Sequence, residues 1–504
     1  MCDNTVHTDT MGFFMRTLIC LLAVVLSACG GGGGGGSGPL PAVNKTFSEQ
    51  YIDLPNAEDV VKNVCTTASP NGGFSEKIAV ADLNRDGIND LVTVYWCAYS
   101  QPGQQYNGPT PSTLVVYLSQ SNGTFTIGNR QLFGTDVVDI GGQSNGFTVG
   151  DFNSDGKADI GIGVSREDGR GNNSTFDAYN APQVVLLSHS DNTYSVERFA
   201  VQAASGKVQA VDNEVGGVDF VYPAVAQEAA TAYRWVNDAW QQVTGYAKSN
   251  VGMNFFSRTS TQGSTKVLSL STDANDGPAS LQIQEKVNGQ WSVTSKYVYL
   301  SSFVNVISWN SQLTQTTLAN VNGTNMLYST FEDSCVFKSS TNSESIVLAR
   351  VGGFPVSSAW NGQTTLDERY MSGTSMLIPF NISNGIVTYN DLFDSPVADN
   401  FTNYKCSDVN NDGYMDVVTF GQGSTLNNTS GAPTFYINNK AGKLVKTAVD
   451  LPRIPQGANE WSNSNSLYED MNGDGIPDLI YFTMETVPTK TRSSFRIYFS
   501  NKTI

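Results

Sequence analysis

One nine-residue pattern occurs four times in this chain and limits what it can fold into more than any other feature. The copies are Asp82-Leu83-Asn84-Arg85-Asp86-Gly87-Ile88-Asn89-Asp90, Asp151-Phe152-Asn153-Ser154-Asp155-Gly156-Lys157-Ala158-Asp159, Asp408-Val409-Asn410-Asn411-Asp412-Gly413-Tyr414-Met415-Asp416, and Asp470-Met471-Asn472-Gly473-Asp474-Gly475-Ile476-Pro477-Asp478. Acids stand at positions 1, 5 and 9, asparagine at 3 and glycine at 6. Each copy follows a short apolar stretch such as Ile78-Ala79-Val80 and leads into a β-prone run such as Leu91-Val92-Thr93-Val94. Strand, acidic loop, strand is the plain reading of such a segment, and a unit repeated at this spacing sets the architecture of the whole chain.

Three further segments keep the length and lose the acids. Val211–Asp219 retains Asn213, Gly216 and Asp219; Arg258–Lys266 retains Gly263; Leu318–Met326 retains Asn320, Asn322 and Gly323. Asp273-Ala274-Asn275-Asp276-Gly277 is read as the next loop along, because Val267-Leu268 precede it within the same unit. After each loop comes a second hairpin, an apolar strand and a polar turn followed by another strand. The clearest are Leu114–Leu118 with Asn122-Gly123 and Phe125, Leu281–Val287 with Asn288-Gly289 and Trp291, and Met376–Ile382 with Asn384-Gly385. Phe435–Ile437 with Leu444, Val184–Leu187 with Tyr194, and Tyr233–Trp235 with Trp240 complete the set. Two hairpins make four strands per unit.

Loop starts at 82, 151, 211, 258, 318, 408 and 470 leave gaps of 69, 60, 47, 60, 90 and 62 residues. Seven four-stranded units of this length predict an all-β chain folded as a seven-bladed β-propeller. The long gap predicts an insertion in the fifth blade around Ser345–Gln363, and an eighth, eroded blade is the rival reading of that stretch. The last unit stops at Phe495–Lys502 after a third strand, while Asn44–Leu54 has the form of a fourth. The mature N-terminus is therefore expected to complete the last blade, hiding an open strand edge.

The first residues carry an address. Met15-Arg16, an apolar run Leu18–Leu26 and then Ser27-Ala28-Cys29 have the form of a secretory signal too short to span a bilayer comfortably. Leu26-Ser27-Ala28-Cys29 resembles the lipobox of bacterial lipoproteins, which implies lipidation of Cys29 after cleavage and a place in the cell envelope, at the outer membrane. Residues 1–28 are then the signal, 29–43 a glycine-rich tether with no strand or helix preference, and 44–504 the propeller. Of the cysteines beyond Cys29, Cys65 and Cys97 flank the first hairpin and form the favoured bridge, with Cys335–Cys406 second. No Cys/His cluster suits zinc.

Side-chain oxygens at positions 1, 3, 5 and 9, with a turn-forming glycine at 6 and a backbone carbonyl at 7, curl around one hard cation; Ca2+ takes six to eight oxygens in flexible geometry. Position 12 is Thr93, Ile162, Thr419 or Tyr481 and the flanks read as strands, so an EF-hand is excluded. The pattern resembles the FG-GAP or VCBS repeat of integrin-α-type β-propellers. The resemblance implies about four structural Ca2+ sites, held by Asp82, Asn84, Asp86, Ile88 and Asp90; Asp151, Asn153, Asp155, Lys157 and Asp159; Asp408, Asn410, Asp412, Tyr414 and Asp416; and Asp470, Asn472, Asp474, Ile476 and Asp478. Ile88, Lys157, Tyr414 and Ile476 would contribute backbone carbonyls.

Catalysis finds little support. The chain has two histidines in 504 residues, and only His189, read as a solvent-facing turn residue, follows the signal. Gly142-Gln143-Ser144-Asn145-Gly146 fits the G-x-S-x-G elbow but has no strand-to-helix turn around it, and reads as an inter-blade loop. The tryptophans read as blade-to-blade core. A net charge of −17 excludes a nucleic-acid partner. The expectation is a non-enzymatic, lipid-anchored module that binds a protein or glycan ligand. A polysaccharide lyase or hydrolase, and a structural subunit of an envelope complex, are the alternatives; Glu167-Asp168 and Asp367-Glu368 are the acids outside the loops that a lyase or hydrolase would draw on.

Overall fold

The protein was analysed as a computed structural model. It describes residues 47–48, 52–54, 64, 71–98, 112–165, 182–199, 208–213, 215–222, 230–243, 246, 254–261, 264–271, 280–287, 290–298, 318–321, 324–327, 330–338, 345–352, 375–383, 386–389, 392–393, 397–399, 401–421, 433–451, 467–487 and 490–501. The signal, the tether, Cys29, Cys65, Glu167-Asp168 and Asp367-Glu368 lie outside these residues.

The chain is all-β and built mainly from units of four antiparallel strands, consecutive in the chain in every unit but the last. Unit one is Asn71–Ala81, Asp90–Ala98, Ser112–Ser119 and Phe125–Ile127. Unit two is Gln143–Gly150, Asp159–Ser165, Gln183–Ser188 and Tyr194–Phe199. Unit three runs from Gln209–Asp212 through Val218–Tyr222 and Thr231–Val236 to Ala239–Val243. Unit four runs from Asn254–Thr261 through Ser264–Ser271 and Ser280–Val287 to Gln290–Val298. These two share one sheet through a single parallel pair, Asp212 with Ser257. Unit five holds Thr330–Lys338, Ser345–Gly352, Ser375–Ser383 and Ile386–Tyr389, with Val397–Asp399 on a further edge. Unit six is Phe401–Ser407, Asp416–Gly421, Thr434–Asn438 and Leu444–Thr447. Unit seven is Leu467–Glu469, Asp478–Val487 and Lys490–Tyr498, and its fourth strand comes from the other end of the chain.

That fourth strand is Ile52–Asp53, which pairs antiparallel with Ile497 and Arg496, as the missing strand required. Upstream, Phe47 bridges Ser500, and the Ser48 amide donates to the Phe499 carbonyl at 2.8 Å. Phe47 is buried edge-on to Tyr468. The N-terminal segment thus covers the outer edge of the last sheet.

Alternation along the strands explains how sheets pack face to face. On Ser112–Ser119 every residue is buried, yet the side chains divide by parity. Leu114, Val116 and Leu118 pack with Ile160, Ile162 and Val164 of unit two. Val115 and Tyr117 pack with Ile480, Phe495 and Ile497 of unit seven. A strand buried on both faces reads as a continuous apolar run, because its period-two partition serves two neighbours. Where unit two packs against unit three, a residue without a side chain is needed: a Cβ on Gly161 would meet the Phe220 ring, and the Thr148 methyl of its own sheet, at 2.7 Å.

Four expectations are corrected. Ser345–Gln363 is not an insertion across its length, since Ser345–Gly352 is the second strand of unit five, paired on both sides by Thr330–Lys338 and Ser375–Ser383. The segment taken as that unit's eroded loop, Leu318–Met326, lies instead in a separate two-stranded hairpin, Leu318–Val321 with Thr324–Leu327. Arg258–Lys266 differs too: Arg258 pairs with Val267 and Thr261 with Ser264, so the first two strands of unit four run through the expected loop. Gly142–Gly146 is not a loop either, because Gln143–Gly150 is a strand with a bulge between Ser144 and Gly146. Ser144 is buried and its hydroxyl donates to the Gly146 carbonyl at 3.2 Å.

The disulfides sharpen one earlier choice. Cys335 and Cys406, with Cα atoms 6.4 Å apart, join the first strands of units five and six. Cys97 is also disulfide-bonded.

Phe47→Ala removes a fully buried ring from the segment that closes the last sheet, and should cost about 3–5 kcal/mol in urea denaturation. An unchanged midpoint would mean that this segment does not hold the fold together.

Candidate functional site

Each acidic loop joins the first and second strands of its unit. The chain turns by placing two residues in the left-handed region. Position 6 is glycine, with φ of +87°, +78°, +86° and +82° at Gly87, Gly156, Gly413 and Gly475. Position 4 does the same at Arg85, Ser154, Asn411 and Gly473, with φ between 55° and 75°. Only glycine takes that conformation without cost, so position 6 is fixed by the turn.

Backbone amides then gather the side-chain oxygens. In the first loop the Asp86 and Gly87 amides donate to the two oxygens of Asp82, at 3.2 and 3.0 Å. The Asp86 amide also reaches Asn84 Oδ1 at 2.9 Å, and the Ile88 amide reaches Asp86 Oδ1 at 2.9 Å. The same set recurs around Asp151, Asn153 and Asp155 and around Asp408, Asn410 and Asp412. The Asp470 loop differs at one point, where the first aspartate accepts from Asn472, Gly473 and Gly475.

The ninth position has a task that spacing did not reveal. Asp90, Asp159, Asp416 and Asp478 each open the second strand with no exposed surface. One oxygen accepts the amide of loop position 2, from Leu83, Phe152, Val409 or Met471, at 2.7–3.0 Å. The other accepts an amide at the far end of the third strand or just past it, from Ser119, Ser188, Asn438 or Ser500, at 2.7–2.9 Å. One carboxylate therefore pins the loop to two strands of its sheet, and a buried amide stripped of its acceptor costs about 1–3 kcal/mol. A signal for this was present: the partner lies 29, 29, 22 and 22 residues downstream, always serine or asparagine.

Burial opposes the charge these carboxylates carry. It pushes Asp90 and Asp478 up to about 7, against the lowering effect of the donated amides, and the neighbouring loop aspartates add to the rise. Asp159 and Asp416 are pushed up to about 6, again chiefly by burial.

The loops of adjoining units touch. Asn89 Nδ2 donates to the Asp470 carbonyl at 2.9 Å, linking units one and seven, and an Arg85 guanidinium nitrogen donates to the Asp155 carbonyl at 3.1 Å, linking units one and two. Lys440 lies 3.3 Å from Asp412 Oδ2, with its ammonium 5.7 Å from the centre of the Tyr414 ring. None of these partners was expected from the motif.

The donors fit a hard divalent cation in kind. Positions 1, 3 and 5 offer only oxygen, and each carboxylate oxygen keeps a second lone pair after accepting an amide. Among the described residues, no three His, Cys, Asp or Glu side chains are already drawn together into a metal-binding group. His189 is exposed in a hairpin turn, and Trp235 and Trp240 pack in the core between units two and three.

In a metal-free buffer the raised aspartates give the stability a definite slope. Between pH 4 and 7 the unfolded carboxylates, at about 3.8, have lost their protons while the folded ones retain them. The native state then binds more protons, so stability falls as pH rises through this window. Thermal melts should show that decline, and it should flatten in an Asp90→Asn, Asp478→Asn variant; an equal slope in both proteins would contradict it.

None of the proteins of curated function matches the chain in sequence. Several solved structures share its course at low identity. An exotype rhamnogalacturonan lyase is 13% identical, over 87% of this chain and 76% of that one, with a TM-score of 0.37. A rhamnogalacturonan lyase from Bacillus licheniformis is 12% identical, over 91% and 76%, with a TM-score of 0.32. Trypanosoma rangeli sialidase in complex with sialic acid is 10% identical, over 84% of this chain and 54% of its own, with a TM-score of 0.34. Residues 408–481, which begin with the Asp408 loop and run through the Asp470 loop, match the FG-GAP-like repeat family.

Proposed function

We propose that the chain is a Ca2+-stabilised β-propeller module, tethered to the bacterial envelope through a lipid on Cys29, that binds a protein or glycan ligand and performs no chemistry of its own. The observation that carries this reading is the fourfold recurrence of one hydrogen-bond pattern. Backbone amides hold the oxygens of Asp82, Asn84 and Asp86, and of their counterparts, in a curled array before any cation arrives. Pre-set oxygen donors lower the cost of ordering a site. A cation would also relieve the repulsion among three carboxylates in nine residues.

The metal in this reading stiffens the scaffold. Loops that cap rigid sheets offer a display surface, and the signal, lipobox and glycine tether supply an address and reach. The measurement is thermal or urea unfolding with CaCl2 and with EGTA. At a hundredfold excess over Kd each occupied site should add about 2.7 kcal/mol, and Asp86→Ala, Asp474→Ala should remove part of that gain. Identical unfolding in both buffers would end the calcium reading. For the anchor, Cys29→Ser should move the expressed protein from the detergent phase to the aqueous phase of a Triton X-114 separation; unchanged partitioning would exclude the lipid.

A further inference from the structure

Unit three retains the ninth aspartate of the acidic motif but has Val211 at position 1 and Val215 at position 5. Asp219 remains fully buried, as in the four complete loops. Its partners differ. Arg234 Nε lies 2.6 Å from Oδ1 and an Arg234 terminal nitrogen 3.0 Å from Oδ2, a forked pairing of guanidinium and carboxylate. Tyr246 donates its hydroxyl to Oδ2 at 2.8 Å, and Asn213 Nδ2 donates to Oδ1 at 2.9 Å.

The register shows where the guanidinium comes from. Arg234 follows Tyr233, which pairs with Phe220, so Arg234 stands opposite Asp219 on the third strand. In the four complete units the pairs Leu91 with Tyr117, Ile160 with Leu186, Val417 with Tyr436 and Leu479 with Tyr498 place Leu118, Leu187, Ile437 and Phe499 opposite the ninth aspartate. That place is apolar wherever acids stand at positions 1, 5 and 9, and arginine in the unit that keeps an acid at position 9 alone of these.

We propose that Arg234 supplies from within the chain the positive charge that a divalent ion would supply in the complete loops, making unit three independent of metal. The donor set at the motif positions there does not fit Ca2+: valines stand at positions 1 and 5, Asp212 and Glu214 fall at positions 2 and 4, which carry no acid in the complete loops, and the ninth carboxylate is engaged by a fork and two further donors. A permanent guanidinium also suits burial better than an ammonium, because its planar fork satisfies both carboxylate oxygens. Withdrawal of metal should then loosen units six, seven, one and two, which adjoin one another through the N-terminal closure, and leave unit three intact. This rests on the calcium reading of the four loops, and the experiment separates the two.

Hydrogen exchange is followed by mass spectrometry on the full chain in CaCl2 and in EGTA. Residues 82–90, 151–159, 408–416 and 470–478 should exchange about tenfold more slowly in CaCl2, while residues 211–222 change less than about twofold. Slowing of 211–222 to the same degree would overturn the proposal. If none of the four loops slows, the calcium reading falls, and Arg234 is judged by unfolding in EGTA alone. There Arg234→Met should lower the midpoint sharply, Arg234→Lys less, and Arg234→Met with Asp219→Asn should recover part of the loss. A midpoint unmoved by Arg234→Met would overturn the role of the guanidinium.

Discussion

A carboxylate with no exposed surface, holding two backbone amides from different strands, is the constraint on which this fold depends. Asp90, Asp159, Asp416 and Asp478 each tie an acidic loop to the ends of its own sheet. The loop in turn presents its other acids outward. Structure and charge are therefore inseparable here: the residue that shapes the loop adds a buried negative charge beneath two more exposed ones. Such an arrangement calls for a counter-charge, and the units answer in different ways. Unit three has a guanidinium on its third strand. Unit six sets an ammonium beside the fifth-position acid. In the proposed reading a cation from solution supplies it in units one, two, six and seven.

The seam of the molecule brings these features together. Asp478 accepts the Ser500 amide, Ser500 bridges Phe47, and Asn89 reaches the Asp470 carbonyl. The last acidic loop is thus connected both to the segment that completes its sheet and to the first acidic loop.

Much of this was legible in the sequence because the repeat is written in residues with strong backbone preferences. Glycine at position 6 and aspartate at positions 1, 5 and 9 fixed the loop phase in four units, and the strands on either side followed. The closing strand could be foreseen from a third strand without a partner. Legibility failed where the acids had gone. Leu318–Met326 imitates a loop remnant, yet Leu318–Val321 and Thr324–Leu327 pair as a separate hairpin, and with the phase misplaced Ser345–Gly352 looked like an insertion. At the site, the side chains that touch from elsewhere in the sheet, Arg234 on a third strand and Lys440 in the turn after one, were invisible, because the placing of the third strand is needed to bring them there. The serine or asparagine 29 or 22 residues beyond the ninth aspartate, at Ser119, Ser188, Asn438 and Ser500, was present in the sequence but carries no meaning until the third strand is placed.

The most direct test of this account is a count of metal ions bound to the folded chain by native mass spectrometry, after dialysis against CaCl2 and removal of free ion. About four Ca2+ per chain, falling to about three in Asp474→Ala, is the expected result for one hard cation per complete loop. A chain that retains no calcium, or that binds the same number after that substitution, would contradict it.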